Sequence, residues 1–427
     1  MGHDIVIIGG GAAGCTAAAY LIRYGYKVAI IEKNEIGGVC LNRGCIPTKT
    51  LRKTAEILFN IKKSDKFGIQ LELKNIDYKK SLDRVKEVIE INKKGLLKKI
   101  EGVEIIYGKG EIIDDRSVRV NDQILECDTI ILGTGSTPLI PFKFEGLKNN
   151  PSVYNSETIF QMRELPSSIS IIGAGAAGCE LAFIFNAFGV KVQLIESCKS
   201  ILPGIDSDIV NIIRRKMIKN GIILYEKTEI DNIAYNGYFK ISASSCSTDD
   251  KKECSIISDT ILFSTGRKKN TEIDRDSNYR AFKYKNVYII GDAANGPMTA
   301  ARAIFEGREI AGFIAGKNDK IKSHILIDGI YTFPEIAYFG LQEETCKKEG
   351  RDYIVTKRFF RTISRSHCED ETEGMLKVIK SKQGDILGVA IVSYNATELI
   401  HIPAAILKRN KYISLHPSLA EIFEDMI

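Results

Sequence analysis

Gly9 to Glu32 reads GGGAAGCTAAAYLIRYGYKVAIIE, and Gly173 to Glu196 reads GAGAAGCELAFIFNAFGVKVQLIE. Half of the positions are identical, and no gap is needed to align them. Each segment follows a short apolar stretch, Asp4 to Ile8 or Ser170 to Ile172, and each closes on a second apolar stretch ending in a carboxylate. The order strand, glycine loop, helix, strand is that of a dinucleotide-binding unit. In such a loop the first glycine (Gly9, Gly173) permits a tight turn. The second (Gly11, Gly175) lets a pyrophosphate approach the backbone, and the third (Gly14, Gly178) lets helix pack on strand. The helix start offers free N–H groups and the positive end of its dipole to the phosphates. Glu32 and Glu196 stand 18 residues past the third glycine, where a carboxylate accepts hydrogen bonds from ribose hydroxyls. One copy alone would be weak evidence; two in full context predict two dinucleotide sites. At Glu196 the negative charge would repel a 2′-phosphate, and only Lys199 follows closely, so the second site is read as one for NAD rather than NADP.

Working outward, 427 residues are too many for one ordinary core and predict two or three domains. The hydrophobic share of 44 % and charged share of 27 % are those of a soluble globular protein. No apolar run approaches the roughly 18 to 20 residues that a membrane span needs, and the N-terminus enters Ile5 to Ile8 without a basic start. These features predict a cytoplasmic protein with no membrane partner. The net charge of +6 is the difference between 60 basic and 54 acidic residues, which are intermixed. A nucleic-acid partner is therefore not expected. Ten scattered cysteines do not make a disulfide scaffold, and most read as inert thiols in a reducing compartment.

Two cysteines differ from the rest. Gly37 to Lys49 reads GGVCLNRGCIPTK, with Cys40 and Cys45 five residues apart. On a regular helix that spacing rises about 7.5 Å and turns the side chains apart, so the pair is expected on an irregular turn permitted by Gly44. Pro47 suits the first turn of a helix, which places Cys45 at a helix N-terminus, where the dipole favours thiolate. A zinc site would need two further ligands, and none lies nearby in sequence, so no metal is expected. A purely structural disulfide is improbable in a reducing compartment. The pair is read as redox-active.

With these motifs in place, the chain resembles the flavoprotein disulfide reductases, the class that includes dihydrolipoamide dehydrogenase. GGVCLNRGCIPTK is close to that family's redox-disulfide motif. Further matches run in the family's order: TIILGTGS (Thr129 to Ser136), the stretch from Thr260 to Asn270, VYIIGDAANGP (Val287 to Pro297), YTFPE (Tyr331 to Glu335) and HPSLAE (His416 to Glu421). The resemblance implies an α/β protein with two Rossmann-like dinucleotide-binding domains, for FAD and NAD, and a C-terminal α+β dimerisation domain. Its divisions fall at 1–142 (FAD domain, first part), 143–266 (NAD domain), 267–318 (FAD domain, second part) and 319–427 (dimerisation domain). It implies that Gly9, Gly11, Gly14, Glu32, Thr134, Gly135 and Asp292 hold FAD, and that Gly173, Gly175, Gly178, Glu196 and Gly266 hold NAD. Cys40 would exchange with the substrate and Cys45 would face the flavin. His416, oriented by Glu421, would act as acid–base toward the partner subunit's disulfide, and Lys49 would pair with Glu180 near the flavin. The implied activity is oxidation of protein-bound dihydrolipoamide by a homodimer. The lipoyl-bearing partner would belong to a 2-oxoacid dehydrogenase or glycine cleavage complex.

The chain departs from the family pattern in four places. The stretch from Asn270 to Asn286 is short, which predicts a missing hairpin. The segment between Glu398 and His416 is shorter by roughly two helical turns. The sequence ends six residues after Glu421, and Met298-Thr299-Ala300-Ala301 stands where a histidine is common. Two alternatives therefore stay open: a related reductase acting on another disulfide, or a flavin-binding assembly or redox-sensing protein that has lost turnover.

Overall fold

The computed structural model describes residues 2–245, 252–317 and 326–406. The first repeat builds a seven-stranded sheet around His3–Ile8, whose residues Ile5 to Ile8 are apolar and buried on both faces, as parallel strands covered by helices are. Val28–Glu32 and then Glu104–Tyr107 extend it parallel on one side, and Gln123–Leu132 pairs parallel on the other. Val287–Ile289 joins Gln123–Leu132 in the same direction, with Val287 opposite Ile130 although it lies far downstream. Ser117–Val120 and Gly110–Ile112 complete the sheet as an antiparallel flap. The chain thus leaves this unit and returns to it. The return also brings helix Ala300–Ile314 against helix Ala12–Arg23, so closely that a Cβ on Gly307 would meet the Ala13 carbonyl oxygen at 2.4 Å.

The second repeat forms a five-stranded parallel sheet in the order Ile223–Tyr225, Lys191–Ile195, Ser168–Ile172, Thr260–Phe263, Val153–Asn155. A three-stranded antiparallel meander, Thr228–Tyr235, Phe239–Ser245 and Lys252–Ser258, packs beside it. Where the chain crosses between the two units, Ser136–Pro138 pairs antiparallel with Arg267–Lys269. From 270 to 286 the described chain holds only the isolated bridges Arg275↔Ala281 and Arg280↔Tyr288, with no regular hairpin.

The C-terminal part is a five-stranded antiparallel sheet, Ile327–Ile330, Glu335–Gly340, Ile386–Ser393, Met375–Lys380 and Ile354–Phe359 in spatial order. One hydrophobic core runs through all three units. It joins Leu51, Ala55 and Leu58 of helix Cys45–Lys63 to Phe183 of helix Ala176–Ala187 and to Ile330, Phe333 and Met375 of the last sheet. Helix Ala176–Ala187 is apolar nearly all round because it lies inside that core. No helix among the described residues is long and apolar enough to cross a membrane.

Candidate active site

Both glycine loops sit at the switch point of their sheet, where the strand order reverses and a crevice opens at the strand ends. They are built alike. Gly9 has φ +112° and Gly173 φ +99°, a left-handed region that other residues resist. A Cβ on Gly9 would lie 2.3 Å from the Gly133 carbonyl oxygen, and one on Gly173 would lie 2.4 Å from that of Ser264. A Cβ on Gly14 or Gly178 would strike the oxygen of Gly9 or Gly173 at 2.0 or 2.1 Å. By contrast, a Cβ on Gly11 or Gly175 would meet nothing within 4 Å. These two glycines are the N-cap residues of their helices, and neither helix has a side-chain cap. Helices Tyr78–Lys99, Ser207–Lys219 and Ala300–Ile314 are capped by Asp77, Asp206 and Thr299. The two loop helices therefore keep their first N–H groups free over open space, a cradle suited to pyrophosphate.

The two carboxylates repeat the same pattern. Glu32 accepts from Gly10 N (2.7 Å) and Asn34 N (2.8 Å), and Glu196 accepts from Ala174 N (2.7 Å) and Cys198 N (2.8 Å). Each oxygen holds one backbone N–H; Glu196 Oε1 also accepts from Ser197 Oγ at 3.4 Å, and the Oε2 of both carboxylates has a lone pair left for a ribose hydroxyl. At the second loop, Gly175, Glu196, Gly266, Arg267 and Lys143 help line a cavity of about 630 Å³, a volume in the range of cofactor pockets. At the first, the Thr134 hydroxyl is buried without a hydrogen-bond partner beside Gly135 (φ +70°), and Asp292 accepts from Ser136 Oγ at 2.9 Å. The open cradle, the orphaned hydroxyl and the half-buried carboxylate fit a dinucleotide at this loop as well.

Cys40 lies in a short helix, Gly38–Asn42, and Cys45 opens the long helix Cys45–Lys63. Gly44 breaks the run between them, where a Cβ would come within 3.1 Å of the Val39 oxygen. Both cysteines are half-buried thiols. The Cys40 thiol donates to the Cys45 sulfur, which is the largest influence holding the Cys45 pKa down, to about 7. Burial and the Glu180 charge oppose this, while the Lys49 ammonium adds to it. The same hydrogen bond, with burial, pushes Cys40 far up, so the first proton to leave the pair comes from Cys45.

Lys49, one turn past Cys45, reaches Glu180 Oε2 at 2.7 Å. Glu180 is the buried acid of helix Ala176–Ala187, so the first and second units meet in this ion pair. His416 and Glu421 lie outside the described residues.

Sequence reasoning missed several residues here. Arg43, between the two cysteines, donates to Glu157 at 3.1 Å; Glu157 also holds Arg267 at 2.7 Å. Arg267 Nε in turn donates to Ser136 Oγ at 2.7 Å, the hydroxyl that serves Asp292. A polar chain thus runs from the cysteine loop past the second cavity to Asp292. Tyr331 is another: its N–H donates to Glu180 Oε1 at 2.8 Å, and its ring centroid lies 4.3 Å from Lys49 Nζ. The stretch containing Tyr331 was legible only as the opening of the third domain, and nothing marked Glu157.

Residues 3–307 match the pyridine nucleotide-disulphide oxidoreductase family, and residues 328–427 match the dimerisation domain of the same family. Across its whole length the chain is 31 % identical to the dihydrolipoyl dehydrogenase of Mycoplasma genitalium, covering 98 % of that protein. It is 30 % identical to the soluble pyridine nucleotide transhydrogenase of a Marinomonas species, over 95 % of this chain and 91 % of that one. Among solved structures, the HOCl-induced flavoprotein disulfide reductase RclA of Escherichia coli shares the fold, with a TM-score of 0.86. That match covers 100 % of this chain and 99 % of that chain at 24 % identity.

Proposed function

Because the chain belongs to the pyridine nucleotide-disulphide oxidoreductase family, whose members use FAD and NAD, we propose that this flavoprotein oxidises protein-bound dihydrolipoamide with NAD. The observation that carries the reading is the half-buried thiol pair at a helix N-terminus, with Cys45 ionising near pH 7 beside Lys49 and Glu180. A thiol of the substrate attacks Cys40 Sγ of the oxidised pair, breaking its bond to Cys45 and releasing Cys45 as thiolate. The second substrate thiol displaces Cys40, and the substrate leaves as a disulfide. FAD, when bound, supplies the two-electron chemistry that connects a thiolate to nicotinamide.

Gly9, Gly11, Gly14, Glu32, Thr134, Gly135 and Asp292 are assigned to FAD; Gly173, Gly175, Gly178, Glu196 and Gly266 are assigned to NAD. His416, oriented by Glu421, is assigned the proton transfers to and from the substrate thiols of the partner subunit. An imidazole side chain can both take up and release a proton near physiological pH. The match of 328–427 to a dimerisation domain supports a homodimer. The lipoyl-bearing protein of a 2-oxoacid dehydrogenase or glycine cleavage complex is the assigned partner, in the cytoplasm. The divisions at 142, 266 and 318 are proposed as domain boundaries.

A second reading keeps the machinery and changes the substrate to another disulfide. Near-equal identity to a dihydrolipoyl dehydrogenase and to a transhydrogenase favours keeping it. The deciding measurement is NADH formation from dihydrolipoamide and NAD by purified yellow protein, with NADP as control. NAD-specific turnover that disappears in Cys45→Ser is the expected result. Flavin that NADH reduces but dihydrolipoamide does not would select the second reading.

A further inference from the structure

Lys49 and Glu180 form a pair whose geometry two long side chains do not fix by themselves. Lysine carries its charge on a flexible four-carbon stem, and the Lys49 side chain is one-third exposed, with a single carboxylate oxygen at 2.7 Å. The third unit of the molecule supplies what holds it. Immediately after strand Ile327–Ile330, the Tyr331 ring lies with its centroid 4.3 Å from Lys49 Nζ, within the reach of a cation–π contact. The backbone N–H of the same residue donates to the other Glu180 oxygen. One residue therefore touches both charges, with its ring on the cation and its amide on the anion.

Tyr331 is itself clamped. Arg52, on the same face of the cysteine helix as Cys45 and Lys49, donates to the Tyr331 carbonyl at 2.9 Å and to that of Thr332 at 3.4 Å. Its guanidinium lies 4.4 Å from the Phe333 ring centroid and pairs with Glu335 at 2.9 Å. Glu335 accepts from Thr397 N and Oγ1. The clamp thus runs from the cysteine helix into the sheet matched to the dimerisation domain.

We propose that Tyr331 is a positioning residue for the redox thiols, holding the Lys49 ammonium between Glu180 and Cys45 through its ring face. This rests on the assignment of Cys45 as the working thiolate. The charged and titratable groups found to act on Cys45 are Cys40, Lys49 and Glu180. Cys40 stabilises the thiolate by hydrogen bonding, Lys49 by its charge, and Glu180 opposes it. Where the ammonium stands between Glu180 and the sulfur therefore decides how much of its charge the thiolate feels. Without the ring, Lys49 can swing toward solvent or collapse onto Glu180, and the thiolate loses support while Glu180 remains.

The test follows Cys45 alkylation by iodoacetamide against pH in reduced, flavin-loaded protein carrying Cys40→Ser. The serine hydroxyl keeps a hydrogen-bond donor at that position, and mass spectrometry of the Cys45 peptide separates it from the exposed Cys198 and Cys368. The parent should show a midpoint well below the ordinary thiol value of about 8.5. Tyr331→Leu should raise it by about half a unit to one unit, slowing alkylation at pH 7 roughly twofold to sixfold from a midpoint near 7. Tyr331→Phe should stay with the parent, because the ring face is kept. In a Lys49→Met background, Tyr331→Leu should add nothing. An unmoved midpoint in Tyr331→Leu, or an equal shift without Lys49, overturns the proposal. Should Tyr331→Leu fail to retain flavin, Tyr331→Met serves as the ringless variant under the same criteria. A parent midpoint at the ordinary thiol value would instead sink the assignment of Cys45, and this proposal with it.

Discussion

At the scale of single residues, Glu196 illustrates how one carboxylate can serve structure and recognition together. Two backbone N–H groups, from the glycine loop and from the turn after its own strand, converge on it, and the side chain is buried. Glu196→Ala should remove these acceptors and the negative charge at once. A lost hydrogen bond to a charged group is worth about 1.5–3 kcal/mol, so KM for NAD should rise at least tenfold. NADP should lose less than NAD, since the charge that repels its 2′-phosphate has gone. Steady-state kinetics with both nucleotides check this, and an unchanged NADP to NAD ratio would refute the assigned role. Glu196 was legible in the sequence because spacing alone puts an acid there. Glu157 was not, since its two arginine partners, Arg43 and Arg267, lie more than a hundred residues away on either side.

At the scale of elements, the glycine loops separate two functions that the motif writes with one letter. Gly178 is needed because helix Ala176–Ala187 passes within touching distance of Gly173; a Cβ there would sit 2.1 Å from a backbone oxygen that has nowhere to go. Gly175 stands in open surroundings, so nothing within the fold excludes a side chain there, and its proposed role is to let a pyrophosphate approach. Gly178→Ala should therefore destabilise the second unit by about 1–3 kcal/mol in urea titration, through overpacking. Gly175→Ala should leave stability within about 1 kcal/mol yet raise KM for NAD, because the added methyl projects into the cradle. Equal loss of stability in the two variants would contradict this division of roles. The two repeats were readable to the residue from their periodicity. The tight loop-to-loop approach of Gly173 to Ser264 was not, because it joins strands separated by a whole antiparallel meander.

At the scale of the whole molecule, the three units are locked together by a shared apolar core and by buried ions. Lys377, on the last sheet, is 1 % exposed and reaches Asp206, Asp208 and Glu343 at 2.7, 2.6 and 2.5 Å. Asp206 and Asp208 begin helix Ser207–Lys219 of the second unit, so this ammonium ties that unit to the C-terminal sheet. Three acids meet here around a lysine that occupies their centre. Lys377→Met should strand the buried Asp206, while Asp208 keeps Lys357 and Glu343 keeps Lys347, each at 2.7 Å, and cost about 3–5 kcal/mol, measured by chemical denaturation. The stranded Asp206 carboxyl would ionise only at raised pH in the folded state. The deficit relative to the parent should therefore shrink as pH falls from 8 toward 5 and grow as pH rises; a pH-independent deficit would argue against the lock. By itself the sequence determined that there are two dinucleotide-type repeats, a cysteine pair at a helix start, and a family-like third domain. Those conclusions rest on local spacing, where glycine, proline and cysteine each leave few conformational choices. Only the tertiary structure decided that Tyr331 covers the Lys49–Glu180 pair, that Arg43 is linked through Glu157 to Arg267, and that Lys377 fills its acidic nest. Each of these joins residues from different units, where a contact depends on how the sheets pack and not on any spacing along the chain.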